Sequence, residues 1–323
     1  MEVEKKQYKA WLYLAPTLIL LIIFTIYPLI NTFIIAFKEN YNYLNIGYGK
    51  GPDSTEYEFS SWGLANFKAI FTKGDFLQYL KTTMIIVFVS VPISVVLSLI
   101  IAIALNSIKA LQKFYQTVFF MPYVTNTIAI GMVFSVMFAT HGGLINNLIK
   151  VFGGQPQNWL GGDLMDSAGN SLYPSYWKSM LVLLTYITWN ALPFKILILL
   201  SGLQSIDKQY YQAAQIDGAN KMRIALRITV PLLSPQIAYL TITSFIGAFK
   251  EYSSVVAIFG NQAGPKGYRR QMATVVWYVY DRMKTSDMTK GMGYAAAAAV
   301  VLFVIIMFFT AINSWVSNKR VHY

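Results

Sequence analysis

The chain has 323 residues, 55% of them hydrophobic and 12% charged, about half of the roughly 25% charged residues found in soluble domains. With a mean hydropathy of +0.46, that composition excludes an ordinary water-soluble domain, and the absence of cysteine excludes a disulfide framework and any cysteine–metal site. The net charge of +12 sits in loops between apolar runs, which fits membrane topology rather than a nucleic-acid face, so no nucleic-acid partner is expected.

Six runs are long enough to cross a bilayer, which takes about 20 mostly apolar residues. In chain order they are Ala10–Phe37, Thr82–Ile108, Phe114–Thr140, Ser179–Leu203, Pro231–Phe259 and Gly291–Ser317. Only Lys195 in the fourth run and Lys250 and Glu251 in the fifth carry charge. Helix is the expected form, because lipid leaves backbone polar groups no other partners. The expected fold is therefore an all-α integral membrane protein of six transmembrane helices, with residues 1–323 as one domain.

The first run follows Lys5, Lys6 and Lys9. Its length and the lack of a small-residue cleavage site argue for a retained anchor over a secretory signal. Basic residues in the N-terminal tail, at Lys109 and Lys113, across Asp207–Arg227, and at Lys319 and Arg320 place both termini in the cytoplasm. The loop Gly260–Lys290 runs against this rule, with Lys266, Arg269, Arg270, Arg282, Lys284 and Lys290 on the outer side by alternation. Two further outer loops, Lys38–Lys81 with Trp62 and His141–Lys178 with Trp159 and Trp177, mix aromatics with turn residues. They serve as connectors or as a docking surface for an external partner.

One stretch, Tyr210–Pro235, reads YYQAAQIDGANKMRIALRITVPLLSP and breaks the apolar pattern. It predicts a short helix over Tyr210–Ile216, a turn at Asp217-Gly218 and a second helix over Ala219–Val230. Asp207 is a suitable N-cap, Gly218 permits a tight bend, and Pro231 opens the next helix. In the second helix Met222, Ala225, Leu226 and Ile228 share one broad side, with Arg223 and Arg227 four apart opposite them. On physics alone an amphipathic helix lying on the membrane surface is an equal reading.

The stretch resembles the EAA loop of binding-protein-dependent ATP-binding cassette importers, whose pattern is E-A-A, three residues, G, nine residues, I-x-L-P. Gln212-Ala213-Ala214, Asp217 just before Gly218, and Ile228 through Pro231 keep that spacing. Gln212 replaces the family's Glu, Ala225 a frequent Phe, and Val230 its Leu. Other segments resemble the maltose-permease-like sugar branch: Trp62–Phe67 its V-G-L-x-N-Y, Gln116–Pro122 its R-T-I-F-F-L-P, GGLINNLIKVFGGQPQNWLG its outer loop, Gly202–Ile206 its A-L-Q-S-I-P, and Gly293–Ala297 its G-Y-A-A-A.

The resemblance implies a type I, MetI-like permease fold and an ATP-driven carbohydrate importer, taking an oligosaccharide. It implies a bacterial cell membrane location, a second permease subunit, two ATPase subunits and an external solute-binding protein, with membrane lipid around them. The loop 207–231 becomes the ATPase-coupling element through Gln212, Ala213, Ala214, Asp217, Gly218, Met222, Arg223, Leu226 and Arg227. No G-x-x-x-x-G-K-[ST] occurs, so ATP and magnesium are expected on the partner ATPase and no cofactor or metal on this chain, which is not itself an enzyme.

By the same resemblance the sugar path runs past Trp189, Asn190, Phe194 and Lys195 in the fourth run and Lys250, Glu251 and Tyr252 in the fifth. Ionisable groups inside a membrane face a cavity or a partner helix, and amide, carboxylate and aromatic groups suit sugar hydroxyls and ring faces. The plain alternative has Lys195 and Lys250 snorkelling or pairing with a partner. The lysines and the basic outer loop favour an acidic oligosaccharide, while Glu251 opposes it. A secondary transporter, which usually has more spans and internal repeats, and a membrane scaffold protein without transport activity are the other classes.

Overall fold

The computed structural model describes residues 7–42, 48–50, 57–72, 74–108, 112–161, 175–265, 267–284 and 291–320. Lys5, Lys6, Lys109, Lys266, Lys290 and His322 lie outside the described residues. Four helical stretches are long and apolar enough to cross a membrane: Trp11–Phe37, Phe76–Ser107, Tyr176–Ser205 and Gly291–Ser317. Two bent pairs bring the number to six if each is one span. Contacts gather into two compact units, one running up to Phe76 and including Tyr278–Val304, the other Leu77–Trp277 with the residues from Ile305 onward.

In the first unit, α1 (Gln7–Leu21) passes through a π turn at Ile22–Ile26 into α2 (Tyr27–Phe37). Pro28 sits at the start of α2. It has no N–H to give the preceding turn, and the Tyr27 N–H reaches back to the Ile22 carbonyl in the wider i→i−5 register. A short antiparallel hairpin, β1 (Tyr48–Lys50) and β2 (Tyr57–Phe59), follows, then α3 (Ala65–Thr72).

The Trp62–Phe67 segment closes the end of α2. Asn66 Nδ2 donates to the Ala36 carbonyl (3.1 Å) and the Lys38 carbonyl (2.9 Å), and Gly63 N–H donates to the Phe37 carbonyl at 2.9 Å. These are the orphan acceptors of a helix C-terminus. Glu39 in turn accepts from the Ala65 N–H at 2.9 Å, at the start of α3. A β-carbon on Gly293 would come within 2.8 Å of the Asn66 side chain, so the glycine of the GYAAA motif is what lets the last long helix approach Asn66. Ile35 and Ala36 of α2 bury against Ala296 and Val300 of that helix.

The second unit holds most of the bundle. It contains α4 (Phe76–Ser107) from Leu77 onward, α5 (Gln112–Val124), α6 (Thr127–Met137), α7 (Leu144–Val151) and α8 (Tyr176–Ser205). Next come α9 (Lys208–Ile216), α10 (Lys221–Ile224), a π turn at Ala225–Thr229, α11 (Val230–Leu232), α12 (Ser234–Phe249) and α13 (Ser253–Phe259). After α13 come α14 (Val275–Lys284) and α15 (Gly291–Arg320), each of which crosses from one unit to the other. The apolar core joins Ala102 and Leu105 of α4, Ile196, Leu199, Leu200 and Leu203 of α8, and Leu233 and Leu240 at α12.

Two expected runs are not straight helices. Phe114–Thr140 bends by 98° between α5 and α6. Asn126 leaves the helix there and caps α6, its side-chain oxygen accepting from Ile128 N–H at 2.8 Å and Ala129 N–H at 3.3 Å. Pro231–Phe259 is broken twice: a 68° bend at Leu233 leaves Pro231 and Leu232 on the preceding helix, and α12 ends at Phe249, so that α13 is a separate helix.

The loop after α6 is stapled by Asn146, which is buried. Its amide donates to the Thr140 and Gln157 carbonyls at 3.0 and 2.8 Å and accepts from Gln157 N–H and Trp159 Nε1 at 2.9 and 3.0 Å. In the basic loop, the Arg270 guanidinium lies 5.8 Å from the Trp277 ring centre, and in the other unit Arg282 lies 5.1 Å from that of Tyr278. Two of the six basic residues that break the sidedness pattern thus rest on aromatic faces.

Candidate substrate cavity and coupling loop

Two features of the second unit carry candidate function. The first is the loop after α8. Asp207 caps α9 by accepting from Gln209 N–H at 2.9 Å, and Asn220 caps α10 by accepting from Arg223 N–H at 2.8 Å. Gly218 between them has φ +69°, a left-handed conformation that glycine enters without steric cost. Tyr211 Oη and Thr229 Oγ1 are 3.4 Å apart and tie the two arms together.

Ala214 is the buried residue of α9. Gln212, Ala213, Asp217, Arg223 and Arg227 are exposed. So are three apolar side chains: Ile216 is 87% exposed, Met222 67% and Leu226 59%. Met222 and Leu226 lie four apart, on one face of the second arm. The helix extends from Lys221 to Leu232 and contains a π turn that sequence periodicity did not signal.

The second feature is a polar cavity of about 260 Å3 walled by α4, α8 and α12 and by the break that follows α12. Asn190 and Lys195 enter it from α8, Ser90 and Ser94 from α4, Ser244 from α12, and Glu251 from the break. Lys195 is 5% exposed, and its ammonium donates to Ser94 Oγ. Ser94 passes its own proton to the Val91 carbonyl at 3.0 Å, so the hydroxyl is satisfied on both sides.

Glu251 Oε1 accepts from the Ser254 N–H at 2.9 Å, which caps α13. The Glu251 backbone carbonyl accepts from Thr274 Oγ1 at 2.7 Å, which pins the end of the loop before α14 beside the cavity. The cavity therefore presents an amide, a carboxylate, an ammonium and several hydroxyls in an apolar bundle, a set that suits polyhydroxylated or charged cargo. Among the described residues, no group of three or more His, Cys, Asp or Glu gathers that could hold a metal ion.

Of the seven expected path residues, the structure brings Asn190, Lys195 and Glu251 together. The other four are not among the cavity's lining residues. Phe194 stacks on Tyr123, ring centres 5.7 Å apart. Trp189 lies 5.2 Å from the Phe134 ring and lines an apolar groove instead. Lys250 is exposed, and Tyr252 is the backbone N-cap of α13. Sequence reasoning did not select the serines. Their signal was present: Ser90, Ser94 and Ser98 recur every fourth residue along an otherwise apolar run, and all three are buried.

The sequence profile of the binding-protein-dependent transport system inner membrane component family matches residues 94–322. The chain belongs to this family. Among curated relatives, this family member is similar to the arabinooligosaccharides transport system permease protein AraP of Bacillus subtilis, 28% identical over 97% of this chain and 90% of that protein. It is also similar to the lactose transport system permease protein LacF of Rhizobium radiobacter, 27% identical over 96% and 94%. A crystal structure of a bacterial alginate ABC transporter, in complex with an alginate pentasaccharide-bound periplasmic protein, contains a chain of the same fold, with TM-score 0.72, 20% identity and coverage of 98% and 96%. The fold is that of the type I, MetI-like permeases, all-helical apart from the short hairpin among the described residues.

Proposed function

We propose that this permease imports a carbohydrate, of oligosaccharide size, and that it forms the translocation pore with a second permease subunit. In this reading residues 1–323 are a single permease domain in the bacterial inner membrane with both termini in the cytoplasm. The names of AraP and LacF support the cargo class. The neighbour solved with a sugar-loaded periplasmic protein supports delivery by an external binding protein. ATP and magnesium belong to two separate ATPase subunits.

The observation that carries the coupling part is the loop after α8. A helix-turn-helix that leaves Ile216, Met222 and Leu226 in solvent, flanked by Arg223 and Arg227, is shaped to fill a cleft in another protein. The turn at Gly218 holds the two arms at a fixed angle, and the second arm leads through Leu233 into α12. α12 ends beside Glu251 at the cavity. Movement of the loop thus reaches the cavity wall along one stretch of chain, as rigid-body alternating access requires.

Gly218→Val tests this. A β-carbon there meets nothing within 4 Å, so the substitution costs backbone strain of about 1–2 kcal/mol in the left-handed conformation and no clash. The expected result is normal insertion and continuing ATP hydrolysis, with binding-protein-dependent uptake reduced about tenfold, the equivalent of that strain. Wild-type uptake per ATP hydrolysed in the variant removes the coupling role.

A further inference from the structure

The same α4 and α8 that wall the polar cavity turn another face to a larger, apolar groove. It encloses about 630 Å3 and is lined by Val89, Ile93 and Leu97 of α4 and by Trp177, Leu184 and Leu192, among others, of α8. Two cross-links show that the helices run side by side in the same direction: Thr82 Oγ1 lies 3.4 Å from Tyr176 Oη, and further along both chains Lys195 donates to Ser94.

The length of the groove narrows its occupant. From Val89 to Leu97 the α4 wall covers about 12 Å, and from Trp177 to Leu192 the α8 wall covers about 22 Å, at 1.5 Å per residue. The hydrocarbon of one leaflet is about half of the roughly 30 Å bilayer core. The groove's lining ends at Leu97 and Leu192, short of the helix ends at Ser107 and Ser205, so it spans about one leaflet. Its dimensions match an extended acyl chain.

The mouth supplies the other half of an amphiphile's requirement. Trp177 begins the α8 wall and is 63% exposed, the place an indole takes at the membrane–water boundary. Lys81 precedes Thr82 and so stands at the same level; it is exposed, and among the described residues no partner holds its side chain. A cation at that height attracts an anionic headgroup.

We propose that this groove is a binding site for an anionic phospholipid, with one acyl chain along Val89–Leu97 and the headgroup phosphate at Lys81. A chain seated there also fixes the spacing of the two helices that wall the polar cavity, because the Ser94–Lys195 bond joins them between groove and cavity.

The test is native mass spectrometry of the purified, delipidated assembly, titrated with phosphatidylglycerol or phosphatidylethanolamine. It reads lipid retention and not uptake, so its outcome stands apart from the transport reading. Leu184→Trp, which fills the groove, is expected to weaken retention of both lipids about tenfold, the worth of roughly two methylenes removed from their seat. Ile93→Phe, a milder filling from the α4 side, is expected to shift both in the same direction. Lys81→Ala, a surface change that leaves the fold intact, is expected to weaken phosphatidylglycerol about fivefold and leave phosphatidylethanolamine unchanged. Unaltered retention in the two groove variants overturns the site, and unchanged phosphatidylglycerol retention in the Lys81→Ala protein overturns the headgroup contact. A disulfide from Leu181→Cys to another protein chain overturns it also, since a subunit then fills the groove.

Discussion

Lys195 is a cation taken almost wholly out of solvent and held by a single hydroxyl. Removing that hydroxyl leaves the ammonium with no protein partner, so Ser94→Ala is expected to lower stability by about 1–3 kcal/mol, seen as a lower unfolding temperature in detergent. Lys195→Met in the Ser94→Ala background is expected to recover most of it, because the charge and its unmet hydrogen bonds leave together. No loss in Ser94→Ala removes the pairing. The sequence announced Lys195 and Glu251 as the charges of apolar runs, and Asn190 by its amide beside them. It showed the serines only as a four-residue recurrence and could not mark them as cavity groups, because a serine in a membrane helix often spends its hydroxyl on its own backbone, as Ser98 does on the Val95 carbonyl. Nor could it separate Asn190 from Trp189 or Lys195 from Phe194, since one residue along a helix turns the side chain by about 100°.

At the scale of elements, hydropathy located the membrane runs and missed their breaks. Phe114–Thr140 is apolar throughout, and nothing in its average hydropathy reveals that Asn126 turns from membrane residue into helix cap. The bend has a packing purpose: it lays α6 against α13, where Gly131 faces Ala257. A β-carbon on Gly131 would fall 2.3 Å from Ala257 Cβ, so close approach depends on the absent side chain, as at other small-residue helix contacts in membranes. Gly131→Leu is expected to cost about 1–3 kcal/mol through overpacking and to lower the unfolding temperature. An unchanged temperature excludes that contact as a determinant of stability. The caps of the loop after α8 were more legible: Asp207 and the Asp217-Gly218 turn follow from local chemistry, whereas the π turn at Ala225–Thr229 depends on how the second arm joins α12.

For the whole molecule, the coupling reading predicts where the energy enters. Met222→Asp with Leu226→Asp puts two charges on the exposed apolar face of the second arm. The pair is expected to abolish copurification of the ATPase while membrane insertion stays normal, because charges buried at a protein interface without partners are costly. Full copurification means that the loop is not the docking element.

By itself the sequence determined the membrane class, through 55% hydrophobic residues in bilayer-length runs. It also carried the family resemblance, in the spacing of Ala213, Ala214, Gly218 and Pro231 in a polar loop. Both are properties of residues close along the chain, where composition, turn chemistry and helical period act directly. Only the tertiary structure decided that Asn190, Lys195 and Glu251 share a cavity with serines from α4 while Phe194 and Lys250 do not. That choice rests on helix rotation and on the break at Lys250, which are fixed by packing between helices distant in sequence. Hydropathy averages over all faces of a helix and carries no record of either.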